Sequence, residues 1–111
     1  MAHLTDQVTG DEQKYTLSPN IKKYSLKDVG FVETNNGNFL FDRPIGDSPY
    51  DAKFKLKISI AKDLDKLKMS VTDMTGMTDI NISKLKDTDA MIELYQYILD
   101  DFIKREILVK N

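Results

Sequence analysis

The chain has 111 residues, with 16 Lys plus Arg against 18 Asp plus Glu, one His, no Cys and no Trp. That is one domain's worth of chain, long enough to bury roughly two-thirds of its unfolded surface without a metal or disulfide staple. The missing cysteines exclude thiol nucleophiles, thiolate metal sites, persulfide carriers and disulfide scaffolds, and a net charge of −2 supplies no global field for nucleic acid or anionic lipid.

Residues 1–12 are polar and lack periodicity, and they read as a flexible tail ahead of a single domain over 13–111. They also lack a basic patch followed by an apolar run, and no window reaches the roughly 18 apolar residues of a membrane span. A cytoplasmic location without membrane contact is therefore expected. Tyr15 and Leu17 share one face of a short strand over 13–17. Ser18-Pro19 stops it and offers a helix start, and Ser25 with Asp28 resembles a capping box. A short helix or two helical turns between Pro19 and Gly30 would pack Ile21, Leu26 and Val29, and Gly30 would end it.

After Gly30 the period becomes alternating. Asn36-Gly37 predicts a two-residue hairpin turn that opposes Thr34 to Phe39 and Val32 to Phe41. Residues 43–51, with two prolines and a glycine, predict a loop. Phe54, Leu56, Ile58 and Ile60 alternate with Lys53, Lys55, Lys57 and Ser59 in the clearest strand. Leu67, Met69 and Val71 repeat the pattern, and Ile80 with Ile82 supplies a further strand. Parity supports a meander. A short turn over 62–65 pairs Ile60 with Leu67 and Ile58 with Met69, and one over 74–77 pairs Val71 with Ile80 and Met69 with Ile82. Met91, Leu94, Tyr95, Ile98 and Phe102 form the apolar stripe of a final helix over 89–108, capped by Asp87, Thr88 and Asp89. The expected class is α+β, an antiparallel sheet with helices on one face, in the order β-α-β-β-β-β-α.

The run Tyr15-Thr16-Leu17-Ser18-Pro19, the segment Ile21-Lys22-Lys23-Tyr24-Ser25-Leu26, and the later Asp28-Val29-Gly30-Phe31 and Asn36-Gly37-Asn38-Phe39 resemble a small bacterial family. This is the domain of unknown function 1831 family of lactic-acid bacteria and related Firmicutes. The resemblance covers nearly the whole chain and implies a TBP-like fold. It implies no established activity, since none of these motifs is catalytic. It also implies a setting beside tRNA sulfur modification, near a cysteine desulfurase and a tRNA thiouridylase. Without Cys the chain would act there as an accessory and never as a sulfur carrier.

Candidate chemistry is sparse. Lys53, Lys55 and Lys57, with Lys68 on the neighbouring strand opposite Ser59, put charge on the open sheet face, and Ser70, Thr72, Asn81 and Ser83 continue it. This is either a basic surface for phosphate or RNA or a solvated face whose lysines deter edge pairing. No aromatic on the best strands offers a stacking platform. Arg43, Ser48 and Tyr50 on the long loop are candidates to grip an anion or a partner, against a plain crossover stiffened by prolines. Met74 and Met77 flank Gly76 at a hairpin tip, either as a partner surface or, preferably, tucked under the long helix. Asp63 with Asp65 and Asp87 with Asp89 are explained by a turn and a helix cap rather than by a metal, and His3 stands alone in the tail. No catalytic residue, metal or cofactor is implied. The expected function is a non-enzymatic accessory or protein-interaction module. The alternative is RNA or phosphate binding through the lysine face.

Overall fold

The computed structural model describes residues 5–8, 10–11, 13–45, 54–84 and 89–110. Its elements run β1 (Thr5–Asp6), β2 (Tyr15–Leu17), α1 (Lys23–Val29), β3 (Val32–Glu33), β4 (Phe39–Ile45), β5 (Phe54–Ile60), β6 (Leu67–Asp73), a 3₁₀ turn (Ile82–Lys84), α2 (Asp89–Lys104) and β7 (Leu108–Lys110). The strands form two antiparallel sheets, ordered β3-β4-β5-β6 and β1-β2-β7. No described helix is long and apolar enough to cross a membrane.

Alternation builds the larger sheet. Ile60 pairs with Leu67 and Ile58 with Met69, the register that parity predicts. Leu56, Ile58, Ile60, Leu67, Met69 and Val71 are buried on the inner face, where both helices cover them. Leu26 of α1 and Met91, Tyr95, Ile98, Leu99 and Phe102 of α2 enter the same cluster. The rings of Phe31, Phe41 and Phe102 meet at its centre, with centroids 5.2–5.7 Å apart, a spacing at which aromatic pairs attract beyond their area burial.

The 36–37 hairpin departs from expectation by one residue. Val32 pairs with Leu40 and Glu33 with Phe39, because the turn takes in Asn35, Asn36 and Gly37 rather than two residues. Gly37 N–H donates to the Thr34 carbonyl at 2.9 Å and Thr34 N–H to the Asn38 carbonyl at 2.7 Å, with Gly37 at φ +84°. This is a turn followed by a left-handed glycine bulge, which adds one residue to the connection. The slip exchanges faces. Phe31, expected outside, is buried against Phe41, and Val32, expected inside, is exposed.

Strand β4 runs on through Pro44 to Ile45, so the expected loop begins later than residue 43. Proline is tolerated there because the β3 ladder ends at Leu40, leaving that stretch of β4 at the sheet edge. The Ser25–Asp28 capping box is absent: Lys22 is the N-cap of α1 and makes no side-chain cap bond. Ser18 instead accepts from the Asn20 N–H at 3.1 Å and closes the preceding turn.

Both helices end in the same motif. Gly30 N–H reaches the Lys27 carbonyl and Phe31 N–H the Leu26 carbonyl; Glu106 N–H reaches the Ile103 carbonyl and Ile107 N–H the Phe102 carbonyl. These paired bonds reverse the chain and bury the following apolar residue, Phe31 or Ile107. The final helix therefore stops at Lys104 rather than near residue 108. Glu106 holds φ +60° in a position usually given to glycine, and so carried no stop signal in the sequence. Beyond it, β7 pairs with β2, with Leu108 opposite Leu17.

The reading of 1–12 as a flexible tail is corrected for its described residues. Thr5 pairs with Thr16 and Asp6 with Tyr15, and Val8 is fully buried. Met69 N–H, on the far edge of β6, donates to Asp6 Oδ2 at 2.6 Å. Ile80 N–H bonds the Val71 carbonyl at 2.7 Å, as parity predicts, but pairing stops at the single Thr72–Asp79 bridge and the chain enters the 3₁₀ turn. The expected strand through Ile82 does not form because Asp6 serves the Met69 donor that Ile82 would have faced. Asn81, expected on the open face, caps that turn by accepting from Ser83 N–H. β1 and β7 thus add a strand at each end of the order β-α-β-β-β-β-α, while the further strand expected at Ile80 and Ile82 is lost.

Gly10 and Asp11 complete the seal. A Cβ on Gly10, at φ +93°, would lie 2.2 Å from Asn81 Oδ1 and 2.7 Å from Ser83 N. Tyr95 Oη donates to Asp11 Oδ2 at 2.6 Å. Burial first, then this bond, pushes the Tyr95 phenol far above its ordinary value. Burial, with Asp11 and Asp100 nearby, pushes Tyr15 up to about 12.

Gly10→Ala is expected to cost about 2–4 kcal/mol in chemical denaturation, combining the left-handed backbone with the steric contact. The raised phenols also set an alkaline limit. Their contribution is full below the ordinary phenol value of 10.0 and is lost as pH rises through about 12 for Tyr15. Unfolding followed by circular dichroism should begin above that ordinary value, and Tyr15→Phe should move the transition to higher pH.

Candidate functional site

The open face of the larger sheet carries the residues that alternate out of the core. Across it, Asp42, Lys57 and Ser70 form one row, Pro44, Lys55 and Thr72 the next, and Leu40, Ser59 and Lys68 a third. Lys57 and Lys68 are diagonal neighbours, which places their Cα atoms roughly 7–8 Å apart. Lys55 Nζ lies 3.7 Å from Asp42 Oδ2. Among the described residues no ion pair engages Lys57 or Lys68.

A hairpin turns this face into a recess. Asp73 N–H bonds the Thr78 carbonyl and Gly76 N–H the Asp73 carbonyl, so residues 73–78 fold back at the end of β6. Asp73 Oδ1 accepts from the hydroxyl and the N–H of Thr75. Chiefly the hydroxyl bond holds the Asp73 carboxyl below its ordinary value. The fold-back carries Gly76 over the sheet, where a Cβ would sit 3.5 Å from Lys57 Nζ. Asp79 is brought beside Thr72 by their bridge. The resulting cavity, about 400 Å³, is lined by Lys57, Lys68, Ser59, Ser70, Met77 and Asp79, among others. Such a volume suits a small metabolite.

The structure therefore brings together two of the six residues singled out in the sequence. Lys55 stands on the same face but is paired with Asp42. Arg43, expected on a loop, lies in β4 opposite Leu56. It has the parity of Phe41 and Ile45, so it cannot join the lysines across the sheet. Lys53 and Tyr50 lie outside the described residues, as do Ser48, His3 and Asp87. Met74 and Met77 do not tuck under the long helix; Met77 is 87% exposed. Asp79 was missed, because a lone acid beside a hairpin carries no signal until the register places it.

Two other hollows are larger. One, about 530 Å³ between α2 and β7, is lined by Tyr97, Asp100, Asp101 and Lys110. There Lys110 pairs with Asp100 and Asp101 with Arg105. The other, about 510 Å³ beside β1, holds Asp6, already bonded to Met69, and shares Lys68 with the recess.

A sequence model for the DUF1831 family, described as putative amino acid metabolism, matches residues 1–109. The structure is similar to the crystal structure of a DUF1831 family protein from Lactobacillus plantarum. The TM-score is 0.89 and the identity 40%, and the match covers 99% of this chain and 97% of that one. No curated protein matches the chain.

The hairpin that walls the recess has a pH signature. With a lowered carboxyl, the Asp73 contribution is present above its ordinary value of 3.8 and is lost as pH falls through the lowered one. Amide signals of Thr75 and Gly76 should move only below that value. Asp73→Ala should remove the transition and speed amide exchange at Gly76 at neutral pH.

Proposed function

The chain belongs to the DUF1831 family, and from that premise we propose that it is a non-enzymatic accessory module that works in the cytoplasm by binding, through the recess at Lys57 and Lys68. The observation that carries the reading is the pair of diagonal lysines, Lys57 half-buried and Lys68 exposed, that line one recess with no ion pair to either among the described residues. Two ammonium groups lining one recess make an anionic group the natural partner. The family description supplies a metabolic setting for such a ligand. The non-catalytic side of the reading is supported by composition: with no Cys and only His3 as an imidazole, the common nucleophile–base pairs cannot be assembled. The setting beside tRNA sulfur modification adds no residue to the recess. The layout itself we take as a TBP-like arrangement extended by β1 and β7.

RNA or phosphate on the lysine face is the second reading, favoured by the same two lysines. Two phosphate contacts give a salt slope of only about −1.4 for a single strand, too shallow for tight binding. Asp42 and Asp79 also flank the lysines. Titrating the ¹⁵N-labelled protein with amino acids, inorganic phosphate and a short oligoribonucleotide discriminates the readings. The expected outcome is a cluster of shifts at 57–59, 68–70 and 76–79 with a small metabolite. Shifts confined to other regions, or chemical conversion of any compound, would overturn it.

A further inference from the structure

Charge balance in the recess narrows the ligand. Lys57 and Lys68 stand diagonally on β5 and β6, and Asp79 stands on the other side of β6, beside Thr72. All three line the same cavity of about 400 Å³. Among the described residues Asp79, like the two lysines, enters no ion pair. A simple anion answers the lysines and leaves Asp79 facing negative charge. A polyanion such as RNA meets that acid at the wall of the cavity, with no aromatic there to stack on.

A ligand that answers all three groups has two anionic ends and one cation. Ser70, opposite Lys57, and Ser59, opposite Lys68, line the same cavity and add hydroxyls able to donate or accept. Leu40 and Met77 give the cavity its apolar contact, and the thioether of Met77 adapts to a short aliphatic chain. From this arrangement we infer that the recess binds a small molecule with two carboxylates and one ammonium, the charge pattern of an acidic α-amino acid. The lysines hold the carboxylates, and Asp79 holds the ammonium. The inference rests on the recess being the binding surface, and it adds the role of Asp79, which that reading does not need.

The test uses the full ¹⁵N-labelled chain with three probes: L-glutamate, glutarate, which lacks the amine, and inorganic phosphate. L-Glutamate is expected to shift the amides around Lys57, Lys68 and Asp79 and to bind at least tenfold tighter than glutarate or phosphate. Lys57→Gln and Lys68→Gln should each weaken both dicarboxylates about tenfold. Asp79→Asn should weaken L-glutamate at least fivefold and leave glutarate unchanged or tighter. All three side chains lie outside the buried core, and each variant's amide spectrum checks that it folds. Glutarate or phosphate binding as tightly as L-glutamate, or Asp79→Asn weakening both dicarboxylates alike, overturns the inference while the recess remains a binding site. Absence of any shift with L-glutamate also overturns it. If no probe moves the recess, the reading of the recess itself falls too.

Discussion

The far edge of β6 must be closed, and the way it is closed organises the molecule. An open edge presents unpaired N–H and C=O groups that invite another chain. Here Asp6 takes the Met69 N–H at 2.6 Å, Ile80 takes the Val71 carbonyl, and Thr78 takes the Asp73 N–H. A charge-assisted bond of this kind is roughly twice as strong as a neutral one. It is also what joins the two sheets, since Asp6 belongs to β1 and Met69 to β6. Once β1 is held there, Val8 is buried, Gly10 is pressed on the 81–83 backbone and Asp11 meets Tyr95. Residues 5–8 and 10–11 thus tie the long helix to the sheet it covers.

The same closure shapes the open face. The segment that returns from the hairpin to meet Val71 carries Met77 and Asp79 to the edge of the lysine rows. A flat solvated face becomes a recess with a wall. Inside it the electrostatics differ from those of a plain surface. Lys55 and Asp42 form a loose pair at 3.7 Å, worth little in stability. Among the described residues Lys57 and Lys68 enter no ion pair.

How far the sequence could be read depended on whether a residue's role was local. Alternation over 54–60 and 67–71 placed the inner face and its register, because a slip of one residue there would expose every apolar side chain. The apolar stripe from Met91 to Phe102 placed the long helix for the same reason. Gly30 announced the end of α1, whereas Glu106 performs the same turn at the end of α2 without a glycine to announce it. The lysines of the candidate site were visible as alternating residues. Their division into Lys55, paired, and Lys57 and Lys68, in no ion pair among the described residues, was not, since it depends on Asp42 from another strand.

The sequence by itself therefore determined the α+β class, the helix-covered face, the central register and the lysine face, all consequences of burying one side of periodic segments. Only the tertiary structure decided the rest. It recruited the polar N-terminal residues as an edge strand, because one carboxylate could satisfy a backbone donor 63 residues away. It moved the 35–37 turn by one residue, because Phe31 gains more than Val32 from contact with Phe41 and Phe102. It set Asp79 on the wall of the lysine recess, because the hairpin return bridges Thr72 at the edge of β6. Each of these is a contact outside the periodic pattern of its own segment, and no such pattern encodes which partner a side chain will meet.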